Sequence, residues 1–147
     1  MTTPEENKAA VREFNQRVFN DGDASFAEKL MADNFVDHSP PPGGAGDKAS
    51  TIEMFRQMFD QYSGSKSEIV DLIASGDRVA VRSRISGTDT KGFMPGMTPT
   101  GRPFTLESID LLTFDENGLN TEHFGIADIS GAMMQLGLMP TPGNEGS

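Results

Sequence analysis

The apolar positions of this chain recur first at helical spacing and then in alternation. Ala10, Val11, Phe14, Val18 and Phe19 recur three or four residues apart, with Arg12, Glu13, Gln16 and Arg17 between them, which predicts an amphipathic helix. Its start is marked by Thr3-Pro4-Glu5-Glu6: a hydroxyl cap, proline at the first helical position and glutamate three residues past the cap. Asn20-Asp21-Gly22-Asp23 breaks it. A second, shorter helix is predicted over 25–31, burying Phe26 and Leu30. The chain then runs through Asp33-Asn34-Phe35-Val36-Asp37-His38 into Ser39-Pro40-Pro41-Pro42-Gly43-Gly44, a loop with His38 at its lip. A third helix is expected to open at Ser50, with Glu53 completing a second capping box, and to carry Ile52, Phe55, Met58, Phe59 and Tyr62.

From Ser67 the period becomes 2. Ile69 to Ile73, a Ser75-Gly76-Asp77 turn and Val79 to Ile85 predict a hairpin. The stretch from Gly87 to Gly101, rich in Gly, Pro, Thr and Met, is expected to be a long mobile connection able to cover a pocket. A third strand spans about Phe104 to Phe114, and the Asp115-Glu116-Asn117-Gly118 turn leads into a fourth, Glu122-His123-Phe124-Gly125-Ile126-Ala127-Asp128. A last helix over Ser130 to Leu136 closes at Gly137. Three helices followed by four strands predict an α+β fold, a curved antiparallel sheet wrapped around the N-terminal helices to form a cone with an internal cavity. The expected organisation is one domain over residues 1–140 with a flexible tail at 141–147.

Length and charge narrow the function. A chain of 147 residues builds one core and so one principal site. Its net charge of -10 with scattered basic residues excludes nucleic acid and anionic membrane as partners. No apolar run approaches the roughly 20 residues that span a bilayer. The absence of cysteine excludes thiolate chemistry and disulfides and fits a cytoplasmic location. Apolar residues on both faces of the third strand, such as Leu111 and Leu112, predict a homodimer through the outer sheet face.

Three residues stand out as candidate chemistry. Asp128, at the end of the last strand, is expected at the base of an apolar cavity, where desolvation would raise its pKa and suit it to proton exchange; it also precedes Ser130 closely enough to cap the terminal helix. His123 is a candidate proton carrier that reaches the face of Asp128 only if Gly125 forms a bulge; otherwise it belongs to an interface or pairs with Glu107. His38 is a candidate for orienting a carbonyl oxygen, or a surface turn residue. Phe35, Phe59, Phe124, Met94, Met97 and Glu107 complete the expected ligand-binding set, although an ion pair of Glu107 with Arg82 or Arg84 is an equally direct reading of that carboxylate. Two histidines without close ligand spacing argue against a metal.

Asn20-Asp21-Gly22-Asp23, Phe35-Val36-Asp37-His38, Ser75-Gly76-Asp77-Arg78-Val79-Ala80, Gly87-Thr88, Pro99-Thr100-Gly101, Glu122-His123-Phe124 with Asp128, and Gln135-Leu136-Gly137 together resemble the SnoaL-like polyketide cyclase and ester cyclase family of the nuclear transport factor two-like superfamily. The resemblance implies the α+β cone, a hydrophobic oxygenated small-molecule substrate, no cofactor or metal, and ring closure by intramolecular aldol condensation with a carboxylate as general acid and base. Where members of that family often carry histidine after Gly-Thr, tryptophan after Glu-His and an acid two residues after the histidine, this chain has Asp89, Phe124 and Gly125. Two further readings of the same cone are an epoxide hydrolase or isomerase, which needs a second acid or a tyrosine near Asp128, and a non-catalytic binding module.

Overall fold

The computed structural model describes residues 2–142, so most of the tail expected at 141–147 lies outside the described residues. Helix α1, Pro4–Phe14, has the cap foreseen in the sequence: Thr3 Oγ1 accepts from Glu6 N at 3.1 Å while the Glu6 carboxylate reaches back to Thr3. The helix continues in π-helical form over Asn15–Asn20. That segment is tied to Ser67, whose carbonyl accepts from both Asn15 and Asn20, at 3.0 and 2.9 Å. Helix α2 spans Ala24–Leu30 and α3 spans Lys48–Gln61. The cap of α3 is not Ser50 with Glu53. Asp47 takes that place, accepting from Ser50 N at 2.8 Å, so the helix begins one short turn earlier than the Ser50 signal indicated.

The sheet has five strands, one more than the alternating pattern predicts: β1 Met31–Asp37, β2 Lys66–Ser75, β3 Arg78–Thr88, β4 Pro103–Phe114 and β5 Asn120–Ala127, in the order β1-β5-β4-β3-β2. The additional strand, β1, pairs parallel with β5 while the other pairs are antiparallel. Its pairing is irregular between Met31 and Val36, and its partner lies at the other end of the chain, Asp37 opposite His123. A seven-residue edge strand with Asp33-Asn34 in its middle carries no local alternation to announce it, because the pairing that makes it a strand is entirely non-local.

Helix α1 packs on β2 and β3, and α3 on β1 and α2, so the sheet curves around the helical layer and buries one of its faces. Val18, Ala27, Met31, Phe35, Ile52 and Phe55 form the core between helices and β1. Val11, Val79, Val81 and Phe114 form the core under α1. Each fully buried Val, Ile or Phe here contributes about 1.5–3 kcal/mol of transfer free energy.

The connection between β3 and β4 is anchored away from the cavity rather than laid over it. Asp89, 3% exposed, accepts from Thr100 N and Oγ1 at 2.9 and 2.8 Å and pins the loop at its neck. Phe93 then inserts between Tyr62, Phe104, Ala132 and Leu136, with the Tyr62 hydroxyl bonded to its carbonyl. The terminal helix α4, Ile129–Gln135, closes this end: Gln135 accepts from Thr105 N at 2.7 Å and donates to Thr105 O at 3.0 Å, pairing the edge of β4 beyond the end of β5.

Candidate active site

Three strands bring together three side chains that are far apart in sequence. β1 ends at Asp37, β5 carries His123 beside it, and β4 carries Asp110 opposite Gly125. His123 Nδ1 lies 2.8 Å from Asp37 Oδ1 and Nε2 lies 2.7 Å from Asp110 Oδ1. Asp37 is the buried member, its side chain 4% exposed, and Asp110 is the more accessible one, at 28%. The same Asp37 oxygen accepts from Ser39 N at 3.0 Å and from Ser39 Oγ at 3.2 Å, while Gly125 N donates to Ser39 Oγ at 2.8 Å. The proline-rich loop thereby locks Asp37, and Asp37 orients the imidazole.

A neutral imidazole donates from one nitrogen only, so two carboxylates at hydrogen-bond distance from the two nitrogens are both satisfied by the protonated ring. Burial by itself disfavours that cation; hydrogen bonds to Asp110 and Asp37, with their negative charges, outweigh it and hold the His123 pKa above the ordinary value of about 6.5.

The triad forms one wall of a partly open cavity of about 100 Å³. The remaining lining is mainly apolar, with Phe14, Phe35, Met54, Phe55 and Leu112 prominent. Phe35 is the one expected ligand-binding residue that lines it together with His123. The second acid that the epoxide hydrolase reading needs near Asp128 is not in this cavity: Glu107 and Arg82 share an outer-face groove with Asp128, and among the described residues no ion pair joins Arg82 to Asp128. Among the described residues, no group of three or more side chains is arranged to hold a metal ion.

Asp128 is elsewhere. The register of β4 with β5 runs without interruption from Ala127 to His123, so Gly125 forms no bulge and alternation sends His123 inward and Asp128 outward. Asp128 is exposed and caps α4, accepting from Gly131 N at 3.0 Å. Phe124 and Glu107 share that outer face: Phe124 is 44% exposed, and Glu107 accepts from Arg84 Nε at 2.6 Å with Arg82 Nε 3.6 Å away. His38 is a surface residue whose Nε2 lies 3.6 Å from Glu122 Oε1, directed away from the triad by the same strand alternation that turns Asp37 inward. Phe59 borders a separate groove at the end of α3 with Met58 and Tyr62. Met94 is exposed and Met97 lies in the anchored β3–β4 loop; neither lines the cavity.

Sequence reasoning missed Asp110 and gave Asp37 no role of its own. A usable signal was present for Asp110: a lone carboxylate inside Ser108-Ile109-Asp110-Leu111-Leu112, on the parity that faces the helices. Gly125 also gains a reason. A Cβ built on it would overlap Asp110 Oδ1 and crowd His123 Nε2 at 2.9 Å. The bare position on β5 is therefore the space in which the β4 carboxylate meets the histidine.

Comparison with known proteins agrees with this architecture. No curated protein matches the chain. Among solved structures, TsrD from Streptomyces laurentii is 20% identical over 95% of this chain and 100% of its own, with a TM-score of 0.82. IdmH from Streptomyces antibioticus, a candidate polyketide cyclase, is 27% identical over 92% and 99%, with a TM-score of 0.77. An LEH-like epoxide hydrolase from M. tuberculosis shares the fold at 15% identity over 90% of each chain, with a TM-score of 0.67. The profile of the SnoaL-like polyketide cyclases matches residues 9–136, nearly the whole described chain, and the protein belongs to that family.

Proposed function

We propose that this protein is an acid–base enzyme for a hydrophobic, oxygenated small molecule, and that its reaction is the intramolecular aldol closure of a polyketide-type ester. The observation that carries this reading is the imidazole held between two carboxylates in the wall of an apolar cavity. Asp110 is the proton-transferring group: one of its oxygens is bonded to His123, and the other has no hydrogen-bond partner among the described residues. His123 pairs with the Asp110 carboxylate and spreads the charge when the proton moves. Asp37 and Ser39 fix the ring.

In the cycle, Asp110 takes a proton from the carbon next to a substrate carbonyl. The resulting enolate carbon attacks a second carbonyl of the same molecule to form the ring bond, and the new alkoxide recovers the proton from Asp110. The cavity, about 100 Å³, is smaller than the roughly 150 Å³ apolar cavity known to hold benzene, so the reacting carbonyl end enters it and the rest of the substrate extends through the open side. The exposed outer-face residues Ile109, Phe124 and Ile126 support a homodimer through that face.

The test is ring closure of heptane-2,6-dione to 3-hydroxy-3-methylcyclohexanone, followed by NMR. Asp110→Asn is expected to lower the rate by about 10²–10⁴-fold, the usual contribution of a positioned acid or base, and Asp128→Asn to leave it unchanged. An Asp110→Asn variant that is folded and as active as wild type overturns the assignment.

A further inference from the structure

A carboxylate alone does not make a good enolisation catalyst, because the charge that develops on the carbonyl oxygen needs a donor. The polar groups lining the cavity can be taken in turn. The Asn15 amide is engaged with Ser67 through both ends, donating to its carbonyl at 3.0 Å and accepting from its hydroxyl at 2.6 Å. Asn120 gives two hydrogen bonds, to Thr113 O at 2.9 Å and Glu122 O at 3.0 Å. Thr51 donates its hydroxyl to Asp47 O at 2.8 Å. Both nitrogens of His123 are held by carboxylates. Ser83 remains. It lines the cavity, it is only 9% exposed, and its hydroxyl has no hydrogen-bond partner among the described residues. The hydroxyl is free to donate to a carbonyl oxygen that enters the cavity.

Its placement relative to Asp110 is set by the sheet. Val81 faces Asp110 across β3 and β4, and Ser83 faces Ser108, so Ser83 and Asp110 are diagonal neighbours on the inner face. Diagonal positions are about 7–8 Å apart. That gap suits a carbonyl oxygen hydrogen-bonded to one side chain and the adjacent carbon presenting its proton to the other.

We propose, on the basis of the acid–base reading above, that Ser83 is the oxyanion donor of this site and that it selects substrates carrying an enolisable ketone or ester carbonyl. The α-proton passes to the free oxygen of Asp110. The C–H electron pair becomes the enolate double bond, and the carbonyl π pair moves onto the oxygen that accepts from Ser83 Oγ. Returning the proton to the same carbon regenerates the carbonyl, so the step balances without any other reactant.

The half-reaction can be read without the natural substrate. The full chain is incubated in D₂O with acetophenone, a single ring with one enolisable methyl group, and loss of the methyl proton signal is followed by NMR. Wild type is expected to accelerate exchange, and Ser83→Ala to lower kcat by about 10²-fold with a much smaller change in KM, as for removal of one oxyanion donor. Ser83→Thr, which keeps the hydroxyl, should recover much of the rate. Exchange by a folded Ser83→Ala variant at the wild-type kcat overturns the role of Ser83 and leaves that of Asp110 standing. No acceleration by wild type itself overturns the acid–base reading and this inference with it.

Discussion

Replacing Gly125 with alanine tests the geometry of the triad because the sign of its effect is opposite to the general expectation. Gly125 has ordinary strand backbone without a positive φ, and Gly→Ala at a compatible position stabilises a protein by about 0.4–1 kcal/mol through the unfolded chain. Here the added methyl occupies the place of Asp110 Oδ1, so Asp110 has to rotate away and His123 loses one of its two carboxylates. A hydrogen bond to a charged group contributes about 1.5–3 kcal/mol, and the partial exposure of both partners places this one at the lower end. The net expectation is a loss of about 1 kcal/mol, or about 2–4 °C in Tm for a chain of this size. Urea unfolding of both proteins near pH 6, with the His123 titration followed by NMR, measures it. The His123 pKa should fall in the variant because one source of its elevation is gone. An alanine variant at least as stable as wild type, with the His123 titration unmoved, refutes the account of Gly125 as the space for Asp110.

The remaining expectations concern charge, the cap and the outer face. Since the folded pKa of His123 is raised, the stability it contributes is fully present below about pH 6.5 and is lost as pH rises through the folded value; the Tm difference between wild type and His123→Gln should therefore shrink with increasing pH across that window, and a growing difference would contradict the sign. Asp128→Ala removes the N-cap of α4 and should cost about 1 kcal/mol in denaturant unfolding without altering acetophenone exchange; loss of exchange would return Asp128 to the chemistry. Ile126→Lys, at a position 66% exposed on the outer sheet face, should shift the protein towards monomer in sedimentation velocity, and a dimer of unchanged strength would move the interface elsewhere.

Much of the architecture is legible in the sequence because it is local. Periodicity and the Thr3-Pro4-Glu6 cap are properties of neighbouring residues, and they define α1, the β2–β3 hairpin, β4 and β5 without knowledge of the rest of the chain. Helices first and strands afterwards then imply a layer of helices on one face of a sheet, and the motif resemblance named the family. His123 was also identifiable, as a histidine inside an apolar strand.

What the tertiary structure decided is which carboxylates His123 meets. Asp37 reaches it only because β1 joins the sheet edge parallel to β5, a pairing of segments separated by 86 positions that leaves no local trace. Asp110 reaches it because β4 and β5 are in a register that sets Asp110 opposite the side-chain-free Gly125, and the same unbroken register turns Asp128 to the other face. A shift of one residue in that pairing would exchange the two faces of the strand, and with them the acid in the cavity for the acid at the helix cap.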